Sequence, residues 1–156
     1  MDKTTQMLKT AMQSALAEAA KAAESGEVPV GAVIFHRPSN AIVAAAHNLV
    51  EQTNDASAHA ELLAMRMAAA KIGQPRLTDC DLYVTLEPCT MCAAAIAHFR
   101  IGRVYFGAYD PKGGGIEHGA KFFTQPTCHH RPEIYGGIDE QASAELLRRF
   151  FQSKRN

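Results

Sequence analysis

Residues 82–99 read LYVTLEPCTMCAAAIAHF, an apolar run followed directly by a segment rich in alanine. The run Leu82–Leu86 predicts a buried strand, and Thr90–Phe99 predicts a helix. A further strand is predicted shortly after this helix, at Val104–Phe106. Two strands joined by a helix are typical of a crossover connection between parallel strands. We therefore expect an α/β protein whose sheet is partly parallel.

The sequence on either side of this stretch predicts further helices and strands. Apolar residues near the start of the chain recur every three to four positions, the spacing of an amphipathic helix. Two short apolar runs separated by a turn indicate a hairpin. The predicted elements are a helix at Thr4–Glu24 ended by Gly26, a hairpin of strands Val30–Phe35 and Ala41–Ala46, a helix at Ala58–Lys71, and a helix at about Asp139–Phe151 with Asp139 as its N-cap. His47–Ser57 is predicted to be irregular and Asp110–Gly119 to be a turn-rich loop.

Length and composition limit the class of protein. The chain has 156 residues, of which 47% are hydrophobic and 21% charged. This length predicts a single domain over residues 1–156, and the composition excludes an intrinsically disordered chain. No run of about 18 apolar residues occurs, and the first ten residues lack a signal-peptide pattern. We therefore expect a cytoplasmic protein that neither spans a membrane nor is secreted.

Charge is distributed unevenly along the chain, although its formal sum is zero. Residues 1–99 contain seven Lys and Arg against ten Asp and Glu, whereas residues 100–156 contain nine against six. A neutral total argues against a nucleic-acid partner, because phosphate binding needs a basic surface. The basic excess of the C-terminal third keeps such a partner open.

Three side chains in two short motifs have the chemistry of a metal site. His59 lies near the start of one predicted helix, and Cys89 and Cys92 lie near the start of another. Zinc binds imidazole and thiolate, and three protein ligands leave a fourth tetrahedral position for water, which is typical of a catalytic site. The free N–H groups and the positive dipole end of a helix N-terminus favour thiolates. We therefore predict a zinc ion held by His59, Cys89 and Cys92.

Glu61 follows His59 by two positions and needs a separate explanation. Residues two apart on a regular helix point about 200° from each other. If His59 lies at the irregular entry to the helix and Glu61 in its first turn, both can line one pocket, with Glu61 facing a bound water. Zn²⁺ with two thiolates is formally neutral and acidifies its water less than a site of neutral ligands, so a carboxylate must assist. We predict that Glu61 is the catalytic proton carrier.

Each part of this pattern has a simpler explanation when it is taken alone. A lone C-x-x-C is ambiguous between a metal site, a redox dithiol and chance. The histidine could belong to the core, the glutamate could be solvated and the thiols could be incidental. The joint pattern of H-x-E and P-C-x-x-C, each at a predicted helix start after a strand, favours a metal centre.

The same motifs resemble those of bacterial tRNA-specific adenosine deaminases, which belong to the cytidine deaminase-like superfamily. The resemblance runs from about Met7 to the C-terminus. The segments that carry it are Val28–Ala32, Asn48, Ala58–Glu61, Thr85–Cys92, Arg100–Val104 and Phe106–Asp110. The next loop departs from the family's common pattern, because Tyr109 and the sequence GGGIEH at residues 113–118 replace its usual residues.

The resemblance implies a three-layer α/β/α cytidine deaminase-like fold with a five-stranded mixed sheet and with zinc between two helix N-termini. It implies a hydrolase that converts the wobble adenosine of an arginine tRNA to inosine. In this reaction zinc-bound hydroxide attacks C6, and Glu61 moves the proton. It also implies one Zn²⁺ per subunit and a homodimer whose interface helps to shape the substrate site.

The resemblance further implies residues that contact the tRNA anticodon stem-loop. Asn48 matches the family position whose side chain contacts the purine edge, and the backbone N–H of Ala60 would bind near the reacting carbon. Asp110 and Lys112 resemble an Asp-x-Lys where the loop meets the anticodon stem-loop, with a solvated turn as the alternative.

The end of the last predicted helix carries a second candidate RNA contact. Phe150 and Phe151 are followed by the cations Lys154 and Arg155. Aromatic rings stack on splayed bases, and cations hold the backbone, when single-stranded loops are recognised. A packed and capped chain terminus is the alternative explanation.

Three other interpretations stay open. The same chemistry could act on a free base or nucleotide, such as guanine or cytosine, and the neutral total charge slightly favours this. A non-catalytic zinc-binding module is a rival of a different class, and Glu61 argues against it because a closed structural site needs no adjacent carboxylate. His129 and His130 resemble the family segment before the last helix and could present donors to phosphates or loop nucleotides. The rival is a second metal site with Cys128 as a third ligand, which neither an acidic residue nor a suitable spacing completes.

Overall fold

The structure is a computed structural model, and it describes residues 2–155. The elements in chain order are α1 (Lys3–Glu24), β1 (Gly31–His36), β2 (Ala41–His47), α2 (Val50–Thr53), α3 (Ala60–Ile72), β3 (Cys80–Leu86), α4 (Thr90–Phe99), β4 (Arg103–Ala108), a 3-10 turn (Phe122–Thr124), β5 (Glu133–Tyr135) and α5 (Glu140–Arg155). In the described part of the chain, none of the helices has the length and apolar character needed to cross a bilayer.

The five strands form one mixed sheet in the order β2-β1-β3-β4-β5. β1 pairs antiparallel with β2 on one side and with β3 on the other. β4 pairs parallel with β3 and with β5. α4 joins the parallel strands β3 and β4, which confirms the crossover connection predicted from residues 82–99.

Helices cover both faces of the sheet, so the fold has the three α/β/α layers expected from the resemblance. α1 and α5 pack on one face, and α3 and α4 pack on the other. α1 approaches β1 so closely that a Cβ at Gly31 would collide with the backbone of Ala15 and Ala19. The larger core lies beneath α3 and α4, and its fully buried side chains include Ile34, Met65, Leu82, Ile96 and Phe106.

Several boundaries differ from the sequence prediction for local reasons. α3 begins at Ala60 instead of Ala58, because His59 keeps an extended backbone. α2 occupies part of the stretch that was predicted to be irregular. β5 was not predicted from hydrophobic patterns, because it is only three residues long and partly exposed. Asp139 holds the N-cap position of α5, because its carbonyl accepts a hydrogen bond from the N–H of Ser143 at 3.2 Å. Its φ of 53° is left-handed, whereas a typical N-cap has an extended backbone. That residues 1–156 are a single domain stays a prediction.

Candidate metal centre and substrate cavity

The start of α3 brings two of the predicted site residues to one cavity. His59 is the N-cap of α3, with φ −80° and ψ 147°, and Glu61 is the second residue of the helix. Because His59 lies just outside the helix, the angular spacing of a regular helix does not separate these two side chains. Both line the same cavity, as the irregular helix entry predicted.

The start of α4 presents the two cysteines in the same way. Cys89 is the N-cap, with φ −71° and ψ 173°, and Cys92 lies in the first turn. The carbonyl of Cys89 accepts a hydrogen bond from the N–H of Ala93 at 2.8 Å, which begins the helix. The N–H groups of this first turn have no intrahelical acceptors, so their positive potential favours the thiolate form of Cys89.

The three candidate ligand atoms have the spacing of a zinc site. The Sγ atoms of Cys89 and Cys92 each lie 3.6 Å from Nδ1 of His59. All three atoms lie within 4.8 Å of one another. In a tetrahedral site, Zn–S and Zn–N bonds of about 2.3 and 2.1 Å put sulfur about 3.6 Å from nitrogen. Both the spacing and the donor chemistry therefore fit Zn²⁺, with one coordination position left for water.

The ligand side chains influence one another's ionisation. A hydrogen bond from Cys92 lowers the pKa of Cys89 to about 4 against the opposing effect of burial, and His59 adds to the lowering. The pKa of Cys92 is raised, because this thiol donates to Cys89 and is buried. The hydrogen bond to Cys89 also raises the pKa of His59. Cys89 therefore ionises first, and a cation at the centre of the cluster would favour both thiolates.

Glu61 lies beside these ligands and is only 4% exposed. Burial raises the pKa of Glu61 to about 7, against a smaller lowering by its own backbone N–H. A carboxyl group whose pKa lies near neutrality can both accept and release a proton. The position and the pKa of Glu61 therefore suit general acid–base chemistry at the cluster.

A cavity of about 720 Å³ opens beside the metal cluster. This volume is typical of sites that bind small organic molecules. The residues that line it come from the α1–β1, β2–α2 and β3–α4 connections, α2, the start of α3, the end of β3, the loop after β4 and the end of α5. They are Gly26, Glu27, Val28, Val30, Asn48, Val50, Glu51, His59, Glu61, Leu86, Glu87, Cys89, Asp110, Gly113, Phe150 and Lys154.

Comparison with known families identifies this site. Residues 5–108 match the family model for the cytidine and deoxycytidylate deaminase zinc-binding region. The matched region covers two thirds of the chain and contains the three candidate ligands together with Glu61. The chain belongs to this deaminase family.

Individual relatives of the deaminase give a finer comparison. This chain is 54% identical over 144 residues to a tRNA-specific adenosine deaminase of Agrobacterium fabrum. The alignment covers 92% of this chain and 93% of that protein. A structure from a study of A-to-I editing by tRNA:A34 deaminases at the wobble position of transfer RNA has a TM-score of 0.86 and 53% identity, covering 88% of this chain and 99% of that one. A guanine deaminase from Nitrosomonas europaea has a TM-score of 0.79 at 22% identity, covering 91% and 83% of the two chains, which shows a shared fold alone.

Asn48 and Ala60, the two predicted base contacts, are joined to each other by a hydrogen bond in the deaminase. The Oδ1 of Asn48 accepts a hydrogen bond from the backbone N–H of Ala60 at 2.8 Å. Since a backbone N–H requires an acceptor, this bond fixes the orientation of the amide and leaves its Nδ2 for a ligand. Asn48 lines the cavity, whereas the N–H of Ala60 is already engaged.

Asp110 and Lys112 have different positions relative to the cavity. Asp110 lines it, and its Oδ1 accepts hydrogen bonds from the backbone N–H groups of Lys112 at 3.2 Å and Gly113 at 2.9 Å. This is an Asx-type turn, which holds the loop in a compact form. Lys112 is exposed and is not among the described residues that line the cavity. Of this predicted pair, only Asp110 contributes to the cavity wall.

Phe150 and Phe151 also differ, although they are neighbours on α5. Phe150 lines the cavity, and the Nζ of Lys154 lies 5.3 Å from the centre of its ring. Phe151 is 45% exposed and packs edge-on against Phe150 with ring centres 5.3 Å apart. The end of α5 therefore supplies one aromatic ring and one cation to the cavity wall.

The segment around Cys128 does not form the second metal site that the sequence left open. The thiol of Cys128 donates to the carbonyl of His130, and Nε2 of His130 lies 2.7 Å from the carbonyl oxygen of Ile101. His129 is exposed. Within residues 2–155, the cluster of His59, Cys89 and Cys92 is the one group of His, Cys, Asp or Glu side chains spaced to hold a metal ion.

Two buried carboxylates that line the cavity were missed by sequence reasoning. Glu27 accepts hydrogen bonds from the backbone N–H groups of Glu51 at 3.1 Å and Gln52 at 2.8 Å, and so holds the start of α2. Glu87 accepts bonds from the loop after β4. Burial opposes ionisation of Glu87, yet the backbone N–H of Asp110 and the imidazole of His118 hold its pKa below the ordinary value. The available signal was a glutamate flanked by apolar residues, as in Leu86-Glu87-Pro88.

Proposed function

We propose that this deaminase hydrolyses the wobble adenosine of an arginine tRNA, so that adenosine and water give inosine and ammonia. The observation that carries the proposal is the 54% identity, over nearly the whole of both chains, to a protein named tRNA-specific adenosine deaminase. Its support is structural as well, because a zinc-type ligand cluster, a buried carboxylate and a cavity large enough for a nucleoside lie together.

His59, Cys89 and Cys92 would hold the zinc ion. When bound, zinc supplies a Lewis acid that lowers the pKa of a water molecule and so provides the nucleophile for C6 of the base. The two thiolates offset the charge of the cation, so the centre has little net charge. This weakens the acidification of water, and a base among the chain's own residues must complete it.

Glu61 is the residue proposed to move the proton. It is buried beside the three candidate zinc ligands and lines the cavity, which suits it to exchange protons with a water at the metal position and with a base in the cavity. It takes a proton from the attacking water and delivers it to ring nitrogen N1. Glu61 then moves the second proton of that water, from the hydroxyl formed at C6, to the exocyclic amino group, so that the C6 carbonyl forms and ammonia leaves as the C6–N6 bond breaks. Removing the carboxylate function should stop turnover and leave the ligands intact.

Residues of the cavity wall are proposed to bind the adenosine. A base in an anticodon loop can be splayed out of the stack, whereas a base inside a duplex cannot reach a buried metal. The side chains of Val28, Val30 and Leu86 offer apolar contacts for a purine, and Nδ2 of Asn48 offers a donor for its edge. Phe150 and Lys154 offer a stacking surface and a phosphate contact at the C-terminal end.

Incubation with a panel of matched substrates tests this function. The panel contains an arginine-tRNA anticodon stem-loop with adenosine at the first anticodon position, the same stem-loop with that adenosine moved by one nucleotide, and free adenosine, cytidine and guanine. We expect inosine only from the first RNA. Deamination of a free base or nucleoside with none in the RNA would replace this proposal by the free-substrate alternative.

The proposal extends to assembly and location. We expect a homodimer, because the exposed side chains of Met67 on α3 and Met91 on α4 are 49% and 40% accessible and are suited to burial against a second copy. A protein that acts on tRNA would work in the cytoplasm.

The homodimer is tested by light scattering, which should give twice the chain mass. Met67→Glu should shift the population toward monomer. A monomeric wild-type protein with full activity would contradict the assembly.

A further inference from the structure

Glu87 lies at the centre of a buried hydrogen-bond cluster that the reaction itself does not use. Its side chain has no solvent exposure. It directly follows β3 and is separated from the candidate ligand Cys89 only by Pro88. Its Oε1 accepts from the backbone N–H of Asp110 at 3.0 Å and faces Nδ1 of His118 at 2.8 Å.

The second oxygen of Glu87 binds three further N–H groups, all from one short segment. Oε2 accepts from the backbone N–H groups of Ile116 at 3.2 Å, Glu117 at 2.9 Å and His118 at 3.2 Å. An ionised carboxylate only accepts hydrogen bonds, so His118 must donate from Nδ1. One buried side chain thus receives five donors from residues 110–118, which we name the cavity loop.

The cavity loop depends on such contacts because it has neither helix nor strand hydrogen bonding along residues 110–118. Buried backbone N–H groups need acceptors, and charge-assisted bonds to a carboxylate are stronger than neutral ones. A second attachment is the bond from the N–H of Gly115 to the carbonyl of Pro88 at 2.8 Å. The loop is therefore fastened at two adjacent points to the segment that carries Cys89.

Two glycines make this attachment sterically possible. A Cβ on Gly114 would clash with the carboxylate of Glu87 and would lie only 2.6 Å from the carbonyl oxygen of Asp110. A Cβ on Gly115 would lie 2.8 Å from the backbone carbon of Cys89. Both distances are shorter than real Cβ contacts, so a side chain at either position would push the loop away from the start of α4. The GGG sequence thus matches the close approach that Glu87 requires.

We propose that Glu87 is a positioning residue, whose carboxylate holds the cavity loop against the metal-ligand segment so that Asp110 and Gly113 form one wall of the substrate cavity. Glu87 therefore controls how tightly substrate binds and has little influence on the chemical step at the metal centre. This inference rests on the proposed function only for the identity of the substrate. Its structural part, the attachment of the loop, holds for any substrate of this cavity.

The test compares Glu87→Gln with Glu140→Gln, an exposed matched charge change at the start of α5. Glutamine keeps the shape of Glu87 but replaces one acceptor oxygen by an NH₂ group. Depending on the orientation of the amide, either the N–H of Asp110 or the N–H groups of residues 116–118 lose their acceptor. We expect zinc content to stay near one per chain, KM for the stem-loop to rise about tenfold and kcat to stay within about threefold. Hydrogen exchange in the zinc-loaded protein should accelerate at the amides of residues 110 and 116–118.

Two further variants keep the proposal testable if Glu87→Gln does not fold. His118→Ala removes one of the five donors and should raise KM less than Glu87→Gln. Gly114→Ala displaces the carboxylate without changing its charge and should raise KM with kcat nearly preserved. A fall in kcat at constant KM, or unchanged exchange in the cavity loop, would overturn the proposal. If the wild-type protein does not deaminate the stem-loop, the proposed function fails, and the exchange measurement still decides the role of Glu87.

Discussion

The metal centre and the C-terminal end of α5 meet at one cavity but are built in opposite ways. The metal centre consists of side chains at two helix N-termini, and Cys92 and Glu61 within it are almost fully buried. The end of α5 is exposed, and only Phe150 and Lys154 of its last turns reach the cavity. Two regions that line one cavity thus have very different packing constraints.

This difference separates chemistry from recognition. Buried groups with several partners tolerate little change, because each partner that is removed leaves an unsatisfied polar atom or charge. Exposed aromatic and cationic side chains contribute through stacking and through screened charge interactions. Changes at the metal centre should therefore abolish turnover, whereas changes on α5 should weaken RNA binding by graded amounts.

The largest effect is expected from Cys89→Ala. Loss of one of three ligands should remove most of the zinc and all measurable deamination, since the remaining two side chains do not complete a tetrahedral site. Cys128→Ala is the matched control, because Cys128 lies outside the cluster and bonds to the carbonyl of His130. Metal analysis should find about one zinc per chain in wild type and control. Full zinc content in Cys89→Ala would refute the ligand assignment.

Glu61→Gln should lower kcat by about a thousandfold while the protein keeps its zinc, because the amide cannot carry a proton between water and substrate. Glu24→Gln, an exposed change at the end of α1, should leave kcat unchanged. Inosine formation, together with zinc content, separates a defect in chemistry from a loss of metal. Substantial turnover by Glu61→Gln would remove Glu61 from its proposed role.

Truncation after Leu147 removes four cations together with Phe150 and Phe151. Ser143, the buried contact of α5 against Gly107 of β4, is retained, so the helix start can still pack. We expect tRNA affinity to fall about tenfold or more, and the slope of log affinity against log salt to become shallower by about 0.7 for each phosphate that the protein no longer neutralises. Zinc content should not change. Unchanged affinity and slope would contradict an RNA-binding role for this end of the chain.

The smallest effect is expected from a pair of neighbouring substitutions on α5. Phe150→Ala should raise KM for the stem-loop about tenfold, because it removes a cavity-lining ring that can stack on a base. Phe151→Ala should raise KM less, because this ring is outside the cavity and 45% exposed. Steady-state kinetics on the same RNA measure both. Equal increases in KM for the two variants would show that lining the cavity does not make Phe150 more important than Phe151 for RNA binding.

Much of the fold and of the metal centre could be predicted because the signals are local. The strand and helix at residues 82–99 differ in hydrophobic pattern, and the structure confirms both. His59 and Cys89 stand directly at helix N-caps, where ligand geometry follows from a few neighbouring residues. β5 was not predicted, because the hydrophobic pattern of three partly exposed residues is too weak to indicate a strand. Their strand conformation depends on pairing with β4.

The cavity wall could not be predicted, because its contacts join residues far apart in the chain. The sequence by itself determined the deaminase motif, the ligand types, the crossover from β3 to β4 and the basic C-terminal third. Only the tertiary structure decided that Glu87 binds residues 110–118 and that Phe150 faces the cavity while Phe151 does not. The physical reason is that local residues set helix starts and donor chemistry, whereas the side chains that meet across the sheet depend on how all the layers pack.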